Sequence, residues 1–189
     1  NSRNARRKRP GDLLCAWRLF LDKLQAKHGH QKATFIMHTD PLDQEGPNLY
    51  KVIELLGLID NVVLSREKLE FDKMNVLYNI SDVTLSASSA EGFGLSTLEA
   101  LYAGSPILVP KTGGLTTQVI NRETGEEHGI GLEPDTRSLV GSQSTPFIFE
   151  DVTNNDKYAD ALFEIYSWGP EKRRSVGAKG RAYAHKEFN

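Results

Sequence analysis

The sequence predicts an α/β domain in which a parallel β-sheet has helices on both faces. Short apolar, β-branched segments alternate with longer segments whose apolar residues recur at helical spacing, and this alternation is typical of β-α-β units. The length of 189 residues suits one sizeable domain with its own core. A hydrophobic content of 39% and a charged content of 25% are typical of globular proteins and exclude a disordered chain.

The composition also narrows the possible partners. The net charge of −2 gives no reason to expect nucleic acid or an acidic membrane. Cys15 is the only cysteine, which excludes an internal disulfide framework and favours a reducing, cytoplasmic compartment. No apolar run of about 18 residues is present that would form a spanning helix. The five histidines lack metal-ligand spacing, so no metal or other cofactor is predicted.

The first segment, residues 3–12, concentrates five basic residues before an amphipathic stretch. By itself this pattern is typical of a solvated tail, a nuclear-localisation-like patch or a phosphate site. Asp12 is a suitable cap for a helix over residues 13–24, so we expect the basic residues to form a loop tethered at a helix start.

Two further strand and helix pairs follow. Residues 33–38 and 61–65 have the apolar, β-prone character of strands, and we expect helices over 49–58 and 72–80. Ligands of open α/β sheets bind outside the carboxyl ends of the strands. His38 stands at such an end, where its side chain either contacts a ligand or bonds the backbone.

The most informative segment is the loop over residues 88–94, which joins a strand over 83–86 to a helix beginning at Leu95. Its glycines allow a tight turn, and the start of a helix attracts an anionic group. Glu91 in the loop and Glu99 one turn into the helix can face the same crevice, where carboxylates accept hydrogen bonds from sugar hydroxyls. The alternative is a glycine-rich helix entrance with two surface glutamates.

The rest of the chain continues the alternation. We expect the helix from Leu95 to stop at Gly104, a buried strand over 105–110, and a second glycine loop over 111–114 before a helix over 115–120. Residues 121–152 are predicted to be an elaborated loop with small strands. Two helices close the chain, one over 157–166 and one from Pro170 to about residue 188.

The pattern Glu91-Gly-Phe-Gly-Leu-x-x-x-Glu99, followed by Ala103-Gly104-Ser105-Pro106-Ile107 and Gly113-Gly114, resembles the retaining glycosyltransferases of family 4. The resemblance implies that residues 1–189 form one Rossmann-like domain, the C-terminal nucleotide-sugar-binding half of a two-domain GT-B fold. It also implies that the N-terminal acceptor domain, a strand before Arg3 and a closing helix lie outside this sequence. The missing initiator Met is what we expect of a fragment of a longer chain.

The resemblance also implies roles for particular residues. Arg3 and Lys8 match an Arg and Lys spaced five apart that neutralise the donor's diphosphate, although Pro10-Gly11 departs from the usual pattern. Glu91 would hold the transferred sugar and Glu99 the ribose. These three residues, Arg3, Lys8 and Glu91, are the catalytic candidates. The candidate substrate-binding residues are Glu99, Gly92, Phe93, Gly94 and Leu95, together with Ser65 and Arg66 in the loop that would run along the nucleobase.

Two functions stay open at this point. One is the catalytic half of a retaining glycosyltransferase, and the other is a nucleotide-sugar-binding module without transfer activity. The donor is expected to be a GDP- or UDP-sugar, with GDP-mannose favoured by the resemblance of the Arg-Lys-Arg-Pro and His-Thr-Asp-Pro-Leu-Asp stretches. The acceptor would be a glycan or a lipid-linked sugar. A Rossmann dehydrogenase is disfavoured, because no Gly-x-Gly-x-x-Gly follows a first strand.

Overall fold

The computed structural model describes residues 1–188, apart from the side chain of Phe71. Their helices are α1 (Pro10–His28), α2 (Leu49–Leu55), α3 (Phe71–Asn79), α4 (Leu95–Ala103), α5 (Gly114–Val119), α6 (Asn155–Ser167) and α7 (Gly169–Glu187). Their strands are β1 (Phe35–His38), β2 (Val62–Ser65), β3 (Thr84–Leu85), β4 (Ile107–Pro110), β5 (Gly129–Leu132), β6 (Thr136–Leu139) and β7 (Phe149–Val152). A short 3₁₀ turn, Arg6–Lys8, precedes α1. The predicted α/β class is confirmed.

The parallel strands form two blocks among the described residues. Strand β1 pairs with β2, and β3, β4 and β5 pair in that order, all in parallel. A cavity of 750 Å³ separates the blocks and is lined by residues of both β1 and β3. Strands β6 and β7 form a separate antiparallel pair. We refer to residues 136–152 as the hairpin.

Strand β4 shows directly that helices pack on both faces of the sheet. Leu108 joins the core cluster built by α1, α2 and α6, whereas Ile107 and Val109 join the cluster built by α3, α4, α5 and α7. All three side chains are fully buried. Because successive side chains of a strand point to opposite faces, this alternation requires an apolar layer on each side. The prediction of helices on both faces is therefore confirmed.

Helix α1 begins three residues earlier than predicted. Pro10 occupies its first turn, where a missing N–H costs nothing, and the preceding Arg9 takes a left-handed conformation with φ 51°. Asp12 lies inside the first turn and accepts a hydrogen bond from Arg9 Nε at 2.9 Å. The prediction that Asp12 caps this helix is wrong, because the proline starts the helix before it.

Most other boundaries lie within three residues of the predicted ones. The helix predicted over 49–58 ends at Leu55, and Gly57 takes φ 62° in the turn beyond it. Gly104 ends α4 with φ 79°, as predicted. Among the small strands predicted within residues 121–152, β5 is a full member of the parallel sheet. Its membership of that sheet was not predicted, because glycine weakens the usual pattern of a strand.

Candidate functional site

The predicted site residues gather at one edge of the sheet, beyond the carboxyl ends of the parallel strands. Ser65 ends β2, the loop over 88–94 follows β3, and residues 111–114 follow β4 into α5. The hairpin follows β5. Parallel strands place all these connections on the same side, which is where α/β folds bind ligands.

The two glycine-containing segments, residues 88–94 and 111–114, pack backbone against backbone, and we call them the glycine loops. The N–H of Gly114 donates to the carbonyl of Glu91 at 3.2 Å. A Cβ atom on Gly113 would lie 1.9 Å from that same carbonyl oxygen, and one on Gly114 would lie 2.6 Å from the carbonyl of Gly92. Gly113 also has φ 49° and ψ −134°. These contacts require glycine at both positions of the second loop.

Helix α4 starts directly from the first glycine loop. Gly94 takes φ 91° before it, and no side chain caps its N-terminus. The amide of Gln118 donates to the carbonyls of Phe93 at 2.7 Å and Gly94 at 3.1 Å, and its oxygen lies 2.6 Å from the hydroxyl of Thr97. Gln118 is fully buried in α5, so it fixes the loop that leads into the helix. Sequence reasoning missed this residue, because a glutamine that follows two threonines gives no local sign of burial.

The structure brings Glu91 and Lys8 together. The Lys8 ammonium donates to the Glu91 carboxylate, and the Ser88 hydroxyl donates to the same oxygen at 3.3 Å. The Arg7 guanidinium lies 3.6 Å from it. The N–H of Ser89 donates to the carbonyl of Arg7 at 2.8 Å. The basic turn is thus fastened to the first glycine loop, which favours a phosphate site over a solvated tail.

Glu99 lies on the exposed side of α4 and has a different partner. It accepts a hydrogen bond from the hydroxyl of Tyr78 on α3 at 2.8 Å. Burial raises the pKa of the Tyr78 phenol, so the hydroxyl stays a donor at neutral pH. The Glu99 carboxylate is therefore oriented from its neighbouring helix, with capacity left for further hydrogen bonds.

Arg3 is held elsewhere. Its guanidinium binds the Asp43 carboxylate at 2.6 and 3.2 Å and approaches Glu45 at 3.4 Å, in the loop after β1. The Arg3 hydrogen bond holds the pKa of Asp43 below its usual value. A phosphate would have to replace Asp43 as the partner of Arg3. The catalytic role of Arg3 stays a prediction.

The segment expected to follow the nucleobase lies at the carboxyl ends of β1 and β2. The hydroxyl of Ser65 is 2.9 Å from Nδ1 of His38, and the Arg66 guanidinium donates to the hydroxyl of Tyr50 at 2.9 Å. Ser65 thus holds His38 at the strand end, and burial lowers the pKa of the His38 imidazole. Phe93 and Leu95, by contrast, expose much of their side chains beside the helix start.

The hairpin adds residues that sequence reasoning did not single out. Asp151 accepts hydrogen bonds from Arg137 at 2.7 Å and from the hydroxyl of Thr112 at 2.7 Å. The Arg137 guanidinium keeps the pKa of Asp151 below its usual value. A cavity of 480 Å³ is lined by the hairpin and both glycine loops, including Glu91 and Gly113. The irregular composition of this segment gave no signal for these contacts.

Within residues 1–188, no group of three or more His, Cys, Asp or Glu side chains is arranged to hold a metal ion. Over the same residues, no helix combines the length and the apolar character needed to cross a bilayer.

The family model described as "Glycosyl transferases group 1" matches residues 3–127, which is more than half of the chain. The match begins at Arg3 and includes both glycine loops, Lys8, Glu91 and Glu99.

A trehalose synthase from Pyrococcus horikoshii is 40% identical over 116 residues, which cover 61% of this chain and 22% of that protein. This chain thus spans about a fifth of the length of that curated relative.

Two solved structures show the same fold. TarM from S. aureus, in complex with Fondaparinux, alpha-GlcNAc-glycerol and UDP, has a TM-score of 0.71 and 19% identity, covering 100% of this chain and 31% of TarM. The C-terminal domain of a glycosyl transferase group 1 family protein (LpcC) from Francisella tularensis has a TM-score of 0.66 and 18% identity, covering 99% of this chain and 83% of that domain.

Proposed function

The chain belongs to the glycosyl transferases group 1 family, and we propose that it forms the C-terminal donor-binding domain of a retaining glycosyltransferase. In the proposed reaction, a sugar moves from a nucleoside diphosphate to an acceptor hydroxyl with its anomeric configuration kept. One observation supports this most. Lys8, Glu91 and the uncapped start of α4 meet where the two glycine loops pack together.

Departure of the nucleoside diphosphate is the step this site is suited to assist. Negative charge develops on the leaving phosphate, and preorganised cations and amides stabilise it. Lys8 and the first amides of α4 are suited to this task, since helix starts attract anions. Arg3 is assigned to the same group, and it would exchange Asp43 for a phosphate oxygen. Lys8 would likewise donate hydrogen bonds to both Glu91 and the phosphate.

The two glutamates bind different parts of the donor. Glu99, oriented by Tyr78, accepts the ribose hydroxyls, and Glu91 accepts hydroxyls of the transferred sugar. The backbone of Gly92, Phe93, Gly94 and Leu95 borders the same space, and Ser65 and Arg66 follow the nucleobase. Neither glutamate needs to act as a nucleophile. A glycosidase pair would instead flank the scissile bond at a fixed separation, away from a helix start suited to phosphate.

Our specific proposal for the donor is GDP-mannose, based on the resemblance of the Arg-Lys-Arg-Pro and His-Thr-Asp-Pro-Leu-Asp stretches. The competing donor is a UDP-sugar, because the similarly folded TarM was crystallised with UDP. The acceptor is a glycan or lipid-linked sugar that also contacts the N-terminal domain. A cytoplasmic location is part of the proposal and rests on the single cysteine. Calorimetric titration with GDP-mannose, UDP-glucose and the free diphosphates separates the donors.

We further propose that donor binding is independent of metal. Lys8 and Arg3 provide counter-charge, and no Asp-x-Asp pair occurs in the sequence. The same titrations should therefore give the same affinity in EDTA. An affinity that collapses in EDTA and returns with magnesium or manganese would contradict this proposal.

Substitution of the two glutamates tests the proposed division directly. Glu99→Ala should weaken both the free nucleoside diphosphate and the nucleotide sugar by roughly 1.5–3 kcal/mol, the value of a hydrogen bond to a charged group. Glu91→Ala should weaken only the sugar-bearing ligand by a similar amount. Glu171→Ala, an exposed glutamate on α7, is the control and should change either affinity by less than about 0.5 kcal/mol.

The outcomes also separate the two functions. Equal losses from both variants on the bare diphosphate would contradict the division of roles. The 189 residues alone should bind nucleotide but transfer no sugar, since the acceptor also needs the N-terminal domain. A full-length protein that binds the donor with this pattern yet transfers no sugar to any acceptor would be a nucleotide-sugar-binding module instead.

A further inference from the structure

The hairpin is fastened rigidly at its base. Glu150 forms two hydrogen bonds with the Arg6 guanidinium, at 2.6 and 2.8 Å, and the N–H of Asp151 donates to the carbonyl of Ser89 at 2.7 Å. Asp151 also bonds Arg137 and Thr112. The hairpin is thereby joined to the basic turn and to both glycine loops. It is positioned to act with the donor site rather than as an independent appendage.

The middle of the hairpin is apolar and exposed. Phe147 exposes 78% of its surface and Phe149 exposes 49%, and Leu139 lies opposite Phe149 in the strand register. The turn beyond them, residues 141–145, is polar and closes through a hydrogen bond between Ser142 and Thr145. An apolar patch between a charged base and a polar turn is unusual for a solvent-exposed hairpin.

This apolar patch opens onto the cavity that contains Glu91. Phe147 and Phe149 line it together with Arg137 and Asp151 on the hairpin side. Arg7 and Arg137 balance Glu91 and Asp151, so the four charged groups sum to zero. Hydrogen-bonding groups of balanced charge beside exposed aromatic rings fit an uncharged polyhydroxylated ring, whose hydroxyls bond the polar wall while its C–H face packs on the apolar wall.

We propose that the hairpin binds the sugar ring of the acceptor, with the rings of Phe147 and Phe149 as the apolar platform. This inference rests on the proposed function, in which Glu91 and the glycine loops hold the donor's sugar on the inner side of the cavity. The platform lies on its outer, exposed side, which an acceptor reaches from solvent. The Arg137 guanidinium stands 5.7 Å from the centre of the Phe149 ring and holds it in place.

A lipid bilayer is the other partner that an apolar hairpin could contact. Membrane contact would place the apolar residues at the tip, which enters the bilayer first. Here the tip is polar, and the apolar residues adjoin the cavity. A small ring that also enters the cavity fits this arrangement better.

The test uses the full-length protein and measures transfer from the nucleotide sugar to D-glucose and D-mannose, with sorbitol as an acyclic polyol that lacks a flat ring face. The double variant Phe147→Ala and Phe149→Ala should raise the KM for the pyranose acceptor roughly ten- to a hundredfold, since each aromatic contact is worth about a three- to tenfold change and the two factors multiply. The donor Kd should stay within twofold of wild type. Phe149→Trp, which keeps an aromatic face, should retain an acceptor KM near that of wild type.

The matched control is the double variant Leu55→Ala and Ile59→Ala, which removes two equally exposed apolar side chains away from the cavity. It should leave both constants unchanged. An acceptor KM that is unchanged in the phenylalanine variant, or equal use of sorbitol and pyranoses by wild type, would overturn the inference. So would binding of the wild type to phosphatidylcholine vesicles that the phenylalanine variant loses. A wild type that binds no nucleotide sugar in calorimetry would instead overturn the proposed function.

Discussion

The glycine loops and the hairpin line the same cavity, but different interactions hold them in place. In the glycine loops, the backbone of Gly113 and Gly114 lies directly against that of residues 91–93. The neutral amide of Gln118 holds the first loop by a hydrogen bond to the carbonyl of Phe93. The hairpin is instead tied to the basic turn by the charged pair Arg6–Glu150, and the pair Arg137–Asp151 joins its two strands. Close backbone packing tolerates no added atom, whereas ion pairs between partly exposed side chains depend on pH and salt.

The largest expected effect is that of an added methyl group between the glycine loops. Gly113→Ala should lower the free energy of unfolding by about 4 kcal/mol, the sum of roughly 3 for overpacking and about 1 for the positive φ. Gly125→Ala is the matched control, because Gly125 also has a positive φ but no atom near the added Cβ. It should cost only about 1 kcal/mol. Urea denaturation measures both, and equal losses would show that the two loops do not pack as described.

A second substitution removes the amide that links α5 to the first glycine loop. Gln118→Leu keeps the side-chain size but removes the donor to the carbonyl of Phe93, at a cost of about 1–3 kcal/mol. The carbonyl of Gly94 still accepts from the N–H of Leu98 and the hydroxyl of Thr97. The donor affinity should fall as well, because the start of α4 is no longer fixed. Gln25→Leu, exposed on α1, is the control and should leave both quantities unchanged. Unfolding in urea and calorimetry with the nucleoside diphosphate provide the two readouts. A Gln118→Leu protein as stable as wild type would refute the importance of this amide.

The smallest effect expected is a local one, in which acid releases the hairpin while the glycine loops persist. Arg6 holds the pKa of Glu150 below its usual value, and Arg137 does the same for Asp151. A carboxylate with a lowered pKa stabilises the folded state above its unfolded pKa of about 4, and this contribution is lost as the pH falls through the folded value. NMR chemical shifts of residues 136–152 should therefore move toward disordered values below about pH 4, before those of α4 and α5.

Asp151→Asn provides the control for this acid response. It removes one of the two titrating carboxylates, so the hairpin signals should already be shifted at neutral pH and should change less on acidification. Simultaneous loss of the hairpin and α4 signals in the wild type would mean that both regions depend on the same charges.

The family followed from local sequence features, and the same features predict where the site lies. The two glutamates at a fixed spacing and the glycines beside a helix start are local patterns, because they are defined by spacing and backbone preference along one short segment. Gly104 likewise ended α4 as predicted, since a left-handed residue ends a helix wherever it occurs. The start of α1 was misplaced because two local signals compete there, and the fixed φ of Pro10 prevailed over the capping preference of Asp12.

Only the tertiary structure decided which distant groups meet. Lys8 contacts Glu91 although 83 positions separate them in the sequence, and Arg6 contacts Glu150 across 144 positions. Arg3 pairs with Asp43 rather than with the first glycine loop, and β5 completes the sheet despite its two glycines. The sequence by itself determined most helices and strands and the residue types of the first glycine loop, because backbone preferences act over a few residues. The partners of each charge and the placement of the hairpin depend on how the chain packs, and no local pattern encodes them.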